Sequence, residues 1–180
     1  MSLLNAMRAE MADLYDDLDI DAVNMPKAGP GQFAPPRGDF LIGVGPDGRG
    51  VCCGGIKPLP DGACEFKRMY VRPENRRQGV ARELLARLEH RARELGYETA
   101  RLDTGPRQPH SERLFRDAGF QPIGNFNGNP IASFFGEKRL LPCVADPPRS
   151  PATSPRPSKR GPRLARARQS ADGQAGTRPP

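Results

Sequence analysis

Residues that bind metals or form disulfides are scarce in this sequence. It has four cysteines and two histidines among 180 residues. Adjacent cysteines seldom pair with each other, and four are few for a secreted disulfide scaffold. Neither His90 nor His110 lies at the spacing from a cysteine that zinc sites show. We therefore expect no metal, and reduced, buried thiols at Cys52, Cys53, Cys64 and Cys143.

Long hydrophobic runs are also missing. No apolar segment approaches the roughly 18 residues that a membrane-spanning helix needs. The N-terminus lacks the basic and then apolar segment of a secretory signal. We therefore expect a cytoplasmic protein that has no membrane partner.

Acidic and aromatic residues almost disappear from the C-terminal part of the chain. From residue 141 onward the sequence has eight of its 28 Lys and Arg, two of its 21 Asp and Glu, and nine of its 21 prolines. Such a segment cannot bury enough apolar surface to offset the entropy of ordering. We predict a folded domain over residues 1–141 and a disordered, dispensable basic tail over residues 142–180.

Most of the net charge of +7 therefore lies in the tail. The rest of the chain is nearly neutral, which argues against nucleic acid as a partner of the folded part. Basic residues cluster in the tail and suit contacts with phosphates, but no aromatic side chains alternate with them to stack on bases. We do not expect nucleic acid to be a partner.

The first half of the chain predicts a helix followed by a β-hairpin. Leucines and methionines at helical spacing predict the helix over residues 2–18. Two apolar runs around Pro46-Asp47-Gly48 predict the hairpin. Gly43 to Gly48 also matches G-x-G-x-x-G, but a dinucleotide fingerprint requires a helix after the last glycine, and the residues there are strand-like. We therefore predict no nucleotide-binding motif at this hairpin.

The most informative segment runs from Cys64 to Leu95 and predicts a strand, a basic turn and a long helix. An apolar stripe from Val80 to Leu95 predicts that the helix begins near Gly79 and stops at Gly96. A helix N-terminus exposes unpaired N–H groups, and a glycine there lets a ligand approach the backbone. The turn therefore predicts an anion site suited to a pyrophosphate, with positive charge from Arg72, Arg76 and Arg77.

This turn resembles a known family. Arg76-Arg77-Gln78-Gly79-Val80-Ala81 fits the Gln/Arg-x-x-Gly-x-Gly/Ala signature of the GNAT family of N-acetyltransferases. Leu102 to Gly105 looks like the family's next strand, Leu114 to Phe120 like its following helix-to-strand turn, and NPIASFFGEKRL like its last strand in small bacterial members. The resemblance covers roughly residues 3–140.

The resemblance implies both a fold and a reaction. The implied fold is α+β, with a mixed, mostly antiparallel twisted sheet flanked by helices. The implied activity is that of an enzyme that transfers an acetyl group from acetyl-CoA to an amine by direct attack. The acceptor amine would belong to a small molecule or a protein, and the sequence does not identify it.

The same resemblance implies where acetyl-CoA would bind. The backbone of residues 69–71 would pair with the pantetheine arm and polarise the thioester. The amides of residues 78–81 would hold the pyrophosphate, and Gln108 would contact the arm. The implied cofactor-binding residues are Met69, Tyr70, Val71, Arg76, Arg77, Gln78, Gly79, Val80, Ala81 and Gln108.

Glu65 occupies the strand position from which many members supply a general base. An acceptor amine that resembles lysine has a pKa near 10, so it needs a proton acceptor at neutral pH. The alternative is a strand glutamate beside Lys67 that is either salt-bridged or facing solvent, and the sequence leaves both roles open. The acidic segment from Glu10 to Asp21 is equally open, either as a field that attracts a cationic acceptor or as a solvated face.

Two features depart from the family pattern. Phe115 stands where many members have a tyrosine that protonates the leaving thiolate, and phenylalanine cannot donate a proton. A strand is expected before the first helix, so either an edge strand is missing or the start lies upstream. Residues 39–45 would then form a strand with an unpaired edge, which favours a homodimer. Both departures leave open a second function, that of a non-catalytic acyl-CoA-binding module.

Overall fold

The computed structural model describes residues 2–16 and 18–140, and the backbone of residues 163–166. The helices of this part are α1 (Leu3–Leu14), α2 (Val80–Glu94) and α3 (Pro109–Asp117). The strands are β1 (Asp39–Val44), β2 (Gly50–Pro58), β3 (Cys64–Val71), β4 (Thr99–Thr104), β5 (Gln121–Pro122), β6 (Phe134–Arg139) and β7 (Arg163–Arg166).

All of these strands belong to one sheet, in the order β5-β6-β4-β3-β2-β1-β7. Neighbouring strands are antiparallel except β3 and β4, which run parallel because α2 returns the chain between them. The predicted α+β fold, with a mixed and mostly antiparallel sheet, is confirmed.

Helices α1 and α2 cover opposite faces of the sheet. Leu84 and Leu88 of α2 pack in the main core with Cys52. Leu3 and Met7 of α1 pack in a second cluster that contains Cys53 and Tyr70. Because adjacent strand residues point to opposite faces, the two neighbouring cysteines separate the two layers.

Helix α1 is shorter than the sequence predicted. The Ser2 hydroxyl caps its start by accepting a hydrogen bond from the Asn5 N–H at 3.2 Å. The helix ends at Leu14, and Asp16 has a φ of 55°, in the left-handed region. The acidic residues that follow would oppose the helix dipole if they continued the helix.

The predicted hairpin is present, and its turn is not a nucleotide-binding turn. Strands β1 and β2 pair antiparallel around it, and Gly48 has a φ of 79°. The chain continues into β2 rather than into a helix, so the G-x-G-x-x-G match has no phosphate-binding context.

The outer edge of β1 corrects one expectation. Leu41–Val44 pair antiparallel with Arg163–Arg166, so four residues of the predicted disordered tail form an edge strand. This strand pairs with residues 41–44 of the edge that was predicted to lack a neighbour, and the homodimer stays a prediction. Backbone pairing needs no apolar periodicity, which was the signal used to predict disorder. Residues 142–162 and 167–180 of the predicted tail, and residue 141 of the predicted domain, lie outside the described residues.

Three of the four cysteines are buried and free, as predicted, while Cys143 lies outside the described residues. Burial raises the pKa of the Cys53 and Cys64 thiols to about 12. In the part of the chain that the structure describes, no helix is long and apolar enough to cross a membrane.

Candidate active site

A gap opens in the sheet where β3 and β4 separate. The two strands pair at Cys64 with Ala100 and at Glu65 with Arg101, and their register ends there. Strand β3 continues to Val71 and β4 to Thr104, so their C-terminal parts diverge. A backbone edge that lacks a strand partner offers N–H and C=O groups to a ligand. The predicted residues Met69, Tyr70 and Val71 lie along this part of β3.

A β-bulge on β3 gives this part of the strand its direction. Arg68 has a φ of 59°, and the register with β2 shifts between Cys53 and Gly55. Gly54 makes the bulge possible, because a Cβ there would lie 2.9 Å from a Leu88 methyl and 3.3 Å from Met69 Cγ. Bulges often re-aim residues next to active sites. The sequence analysis missed this bulge, although the Gly54-Gly55 pair in a buried strand was a signal for it.

The gap leads to the predicted anion site at the start of α2. Arg77 and Gly79 have φ values of 59° and 80°, so the chain turns sharply there. No side chain caps the helix at Gly79, which leaves its first N–H groups available to a ligand. A Cβ on Gly79 would meet no atom within 4 Å, so the turn faces open space. These features suit the diphosphate of CoA.

Two of the three arginines expected to supply positive charge are already engaged. Arg72 Nε donates to the Gly50 carbonyl at 2.8 Å. Arg76 binds the Glu10 carboxylate at 2.6 Å, and its Nε donates to the Val71 carbonyl at 3.0 Å. Arg77 is exposed at the turn itself. The bond to a neutral carbonyl leaves the charge of Arg72 in place, whereas the Glu10 carboxylate balances that of Arg76 and so weakens the positive field at the turn.

Glu65 lies at the root of the gap, within a buried ion cluster. Its side chain is 0% exposed, and Oε1 lies 2.7 Å from Lys67 Nζ and accepts a hydrogen bond from Asn127 Nδ2 at 2.7 Å. Oε2 lies 2.9 Å from Lys57 Nζ, an ion pair whose alignment falls short of a good hydrogen bond. The structure therefore places Glu65 in the salt bridge with Lys67 that the sequence offered as one of two alternatives.

Asp103 completes this cluster from β4. Lys67 Nζ lies 3.2 Å from Asp103 Oδ1, bridging the two strands just beyond their last backbone pair. Asn127 and Asn129 donate to Asp103 Oδ2 at 2.9 and 2.8 Å. Burial alone would raise the pKa of Asp103, but the charge of Lys67 and these amide hydrogen bonds hold that pKa below its usual range. The side chains thus hold β3 and β4 together where the backbone ladder stops.

The remaining predicted residues lie at the end of β4 and in α3. The Gln108 Oε1 accepts from Thr104 Oγ1 at 3.3 Å and from the Gly105 N–H at 3.4 Å, so this side chain closes the turn after β4. Phe115 is buried in the main core, where its ring packs against Phe120. Its packing role explains a phenylalanine there without any catalytic function.

The acidic segment after α1 proves to be extensively paired with arginine. Asp16 lies 2.7 Å from Arg107, and Asp21 bonds to both Arg8 and Arg68. These pairs reduce the field that the acidic residues would exert on a cationic acceptor. They also attach the segment to the strands on either side of the gap.

The chain belongs to the GNAT family of acetyltransferases. The sequence profile of the acetyltransferase (GNAT) family matches residues 5–120, which contain most of α1, the gap and the anion-binding turn.

Known acetyltransferases are similar to about half of the chain. An uncharacterized N-acetyltransferase of Schizosaccharomyces pombe is 32% identical over 101 residues, which is 56% of this chain and 62% of the relative. An IAA acetyltransferase of Azospirillum brasilense is 38% identical over 94 residues, which is 50% of this chain and 61% of the relative. The chain thus spans about three fifths of the length of these relatives.

A solved structure shows the same fold. It is that of a candidate acyl-CoA N-acyltransferase from Klebsiella pneumoniae, which has a TM-score of 0.61 and 30% sequence identity. The match covers 77% of this chain and 88% of that chain.

Proposed function

We propose that this chain is an N-acetyltransferase that moves an acetyl group from acetyl-CoA to an amine by direct attack. The observation that carries the proposal is the gap between β3 and β4, which opens directly onto the uncapped start of α2. A thioester arm lying along β3 would end with its diphosphate on that turn. The backbone of Met69, Tyr70 and Val71 is the proposed partner of the arm, and the amides of residues 78–81 are the proposed diphosphate ligands.

The reaction makes three demands on the protein. The amine must lose a proton, the thioester oxygen must be stabilised as it becomes negative, and the thiolate must leave. A backbone N–H at the β3 bulge is the proposed donor to that oxygen. The thiolate can leave without a donor, because a thiol with a pKa near 8.5 is a fair leaving group. Because the thiolate can leave unprotonated, no other residue has to supply the proton that a tyrosine in place of Phe115 would donate.

Glu65 remains the proposed proton acceptor, and its contacts limit the routes by which a proton can reach its carboxylate. Both carboxylate oxygens are engaged by Lys57, Lys67 and Asn127. Glu65 can therefore take a proton at Oε2, whose contact with Lys57 is poorly aligned, or through the Lys67 ammonium group, which would pass one proton to Glu65 and take one from the amine. The competing role, a purely structural ion pair, is favoured by the complete burial of the side chain.

The test is release of free CoA from acetyl-CoA with a panel of amines. The panel should include amino acids, polyamines and a lysine peptide. Amine-dependent release that Gly79→Glu abolishes supports the proposal. Tight CoA binding without release for any amine would favour the acyl-CoA-binding module instead.

A further inference from the structure

Helix α1 is fastened to the anion-binding turn through Glu10. Arg76 Nη2 lies 2.7 and 2.6 Å from the two Glu10 carboxylate oxygens, and burial together with this carboxylate raises the pKa of Tyr70. The Arg76 guanidinium lies over the Tyr70 ring, 5.8 Å from its centroid. Arg76 Nε reaches the Val71 carbonyl at the edge of the gap. One arginine therefore joins α1, the gap and the turn.

The C-terminal end of α1 is fastened to the loop that follows β4. The Arg107 N–H donates to the Tyr15 hydroxyl at 3.1 Å, and its guanidinium donates to the Leu14 carbonyl at 2.7 Å. A Cβ on Gly105 would overlap the Tyr15 hydroxyl, so this contact is close. The last turn of α1 is thus held both by the turn that follows β3, through Glu10, and by the loop that follows β4.

A carboxylate and a phosphate compete for the same guanidinium, because both accept charge-assisted hydrogen bonds from it. Arg76 is the first residue of the Arg76–Ala81 signature, and Glu10 neutralises its charge. A diphosphate on the amides of residues 78–81 would place more negative charge beside Arg76 than one carboxylate does. It would also repel Glu10, because like charges a few ångströms apart are unfavourable.

We propose that Glu10 is an internal competitor for the diphosphate. It holds Arg76 while the turn is empty and yields Arg76 when CoA binds, which releases this part of α1 from the turn. This inference rests on the proposed function, since it requires CoA at the turn. Because the last turn of α1 is also held by the loop after β4, releasing Glu10 would change how α1 is attached to the two segments that follow β3 and β4.

The experiment measures the dissociation constant of CoA by calorimetry for the full chain and its variants. Glu10→Gln should bind CoA roughly two- to fivefold more tightly, as expected for loss of one exposed competing ion pair. Asp13→Asn removes the same charge from the same helix, one turn further along, and should leave the constant unchanged. Arg76→Ala should weaken binding more in the Glu10→Gln background than in the wild type.

Each outcome decides something. If Glu10→Gln binds CoA equally well or more weakly, Glu10 positions Arg76 for the phosphate or plays no part, and the inference is overturned. Equal losses from Arg76→Ala in the two backgrounds would overturn it too. If the folded wild type does not bind CoA, the proposed function itself fails. If Gly79→Glu loses CoA binding but the Glu10 and Arg76 variants do not change it as expected, the proposed function stands and only the Glu10 inference fails.

Discussion

The two ends of β3 illustrate opposite uses of one strand. At its beginning, Glu65 is paired with β4 and sealed in a cluster of two lysines, one aspartate and two asparagines. At its end, the strand leaves β4 and leads to a helix start that no side chain caps. The beginning of β3 is thus closed by an ion cluster whose charges balance. The end of β3 offers backbone groups that have no partner on the β4 side. In the proposed reaction, proton transfer and CoA binding would therefore depend on different parts of the same strand.

The largest effect, on turnover, is expected from Glu65→Gln at the beginning of β3. If Glu65 accepts the proton, turnover at neutral pH should fall by about 10²–10⁴-fold while CoA affinity stays unchanged. The deficit should shrink at high pH, where more of the acceptor amine is already neutral. Steady-state rates between pH 7 and pH 10 measure both effects.

Asp103→Asn is the matched control, because it makes the same carboxylate-to-amide change in the same cluster. It should lower thermal stability without a pH-dependent loss of turnover. Equal rate deficits in the two variants, at every pH, would mean that Glu65 acts only as an ion pair. Circular dichroism at the assay temperature must show that both variants are folded, since breaking a buried ion pair costs about 3–5 kcal/mol.

At the anion-binding turn, Gly79→Glu should weaken CoA binding by about tenfold or more, because charge-assisted bonds each contribute roughly 1.5–3 kcal/mol. The change introduces a negative charge and a side chain at a left-handed position. Gly62→Glu is the control, since Gly62 also has a positive φ, 88°, and open space around it. Calorimetry should show CoA binding lost only in the first variant.

The ion cluster that contains Glu65 and Asp103 should also make the stability of the domain depend on pH in the acidic range. The pKa of Asp103 is lowered in the folded state, so its contribution to stability is present above the ordinary carboxyl pKa near 3.9. That contribution is lost as the pH falls through the lower, folded-state pKa. Chemical unfolding between pH 7 and pH 2 should show a smaller fall in the free energy of unfolding for Asp103→Asn. An identical slope in both proteins would contradict the depressed pKa.

The smallest effect is expected at the far edge of the sheet. Truncation after residue 141 removes β7 and should lower the melting temperature by a few degrees, since a change of 1 kcal/mol moves it by roughly 2–8 °C. Truncation after residue 168 keeps β7 and should melt as the full chain does. Identical melting of both truncated proteins would show that β7 contributes no stability.

The sequence predicted local features of the site well and distant contacts poorly. The helix from Val80 and the turn at Gly79 follow from apolar spacing and from one glycine, so neighbouring residues sufficed. The partners of Glu65 and Arg76 come from residues 62 and 66 positions away, Asn127 and Glu10, and no periodicity connects them. Strand β7 was missed for the same reason, because its partner β1 lies more than 100 residues earlier.

The buried cysteines have a practical consequence for measuring the proposed reaction. Free CoA is commonly detected through its thiol, and a reactive protein thiol would add a background signal. Cys53 and Cys64, with pKa values of about 12, hold almost no thiolate at neutral pH, and burial also raises the pKa of Cys52. Thiolate is the form that reacts with disulfide reagents. In a Cys143→Ser variant, the colour that such a reagent develops would therefore measure released CoA rather than protein thiols.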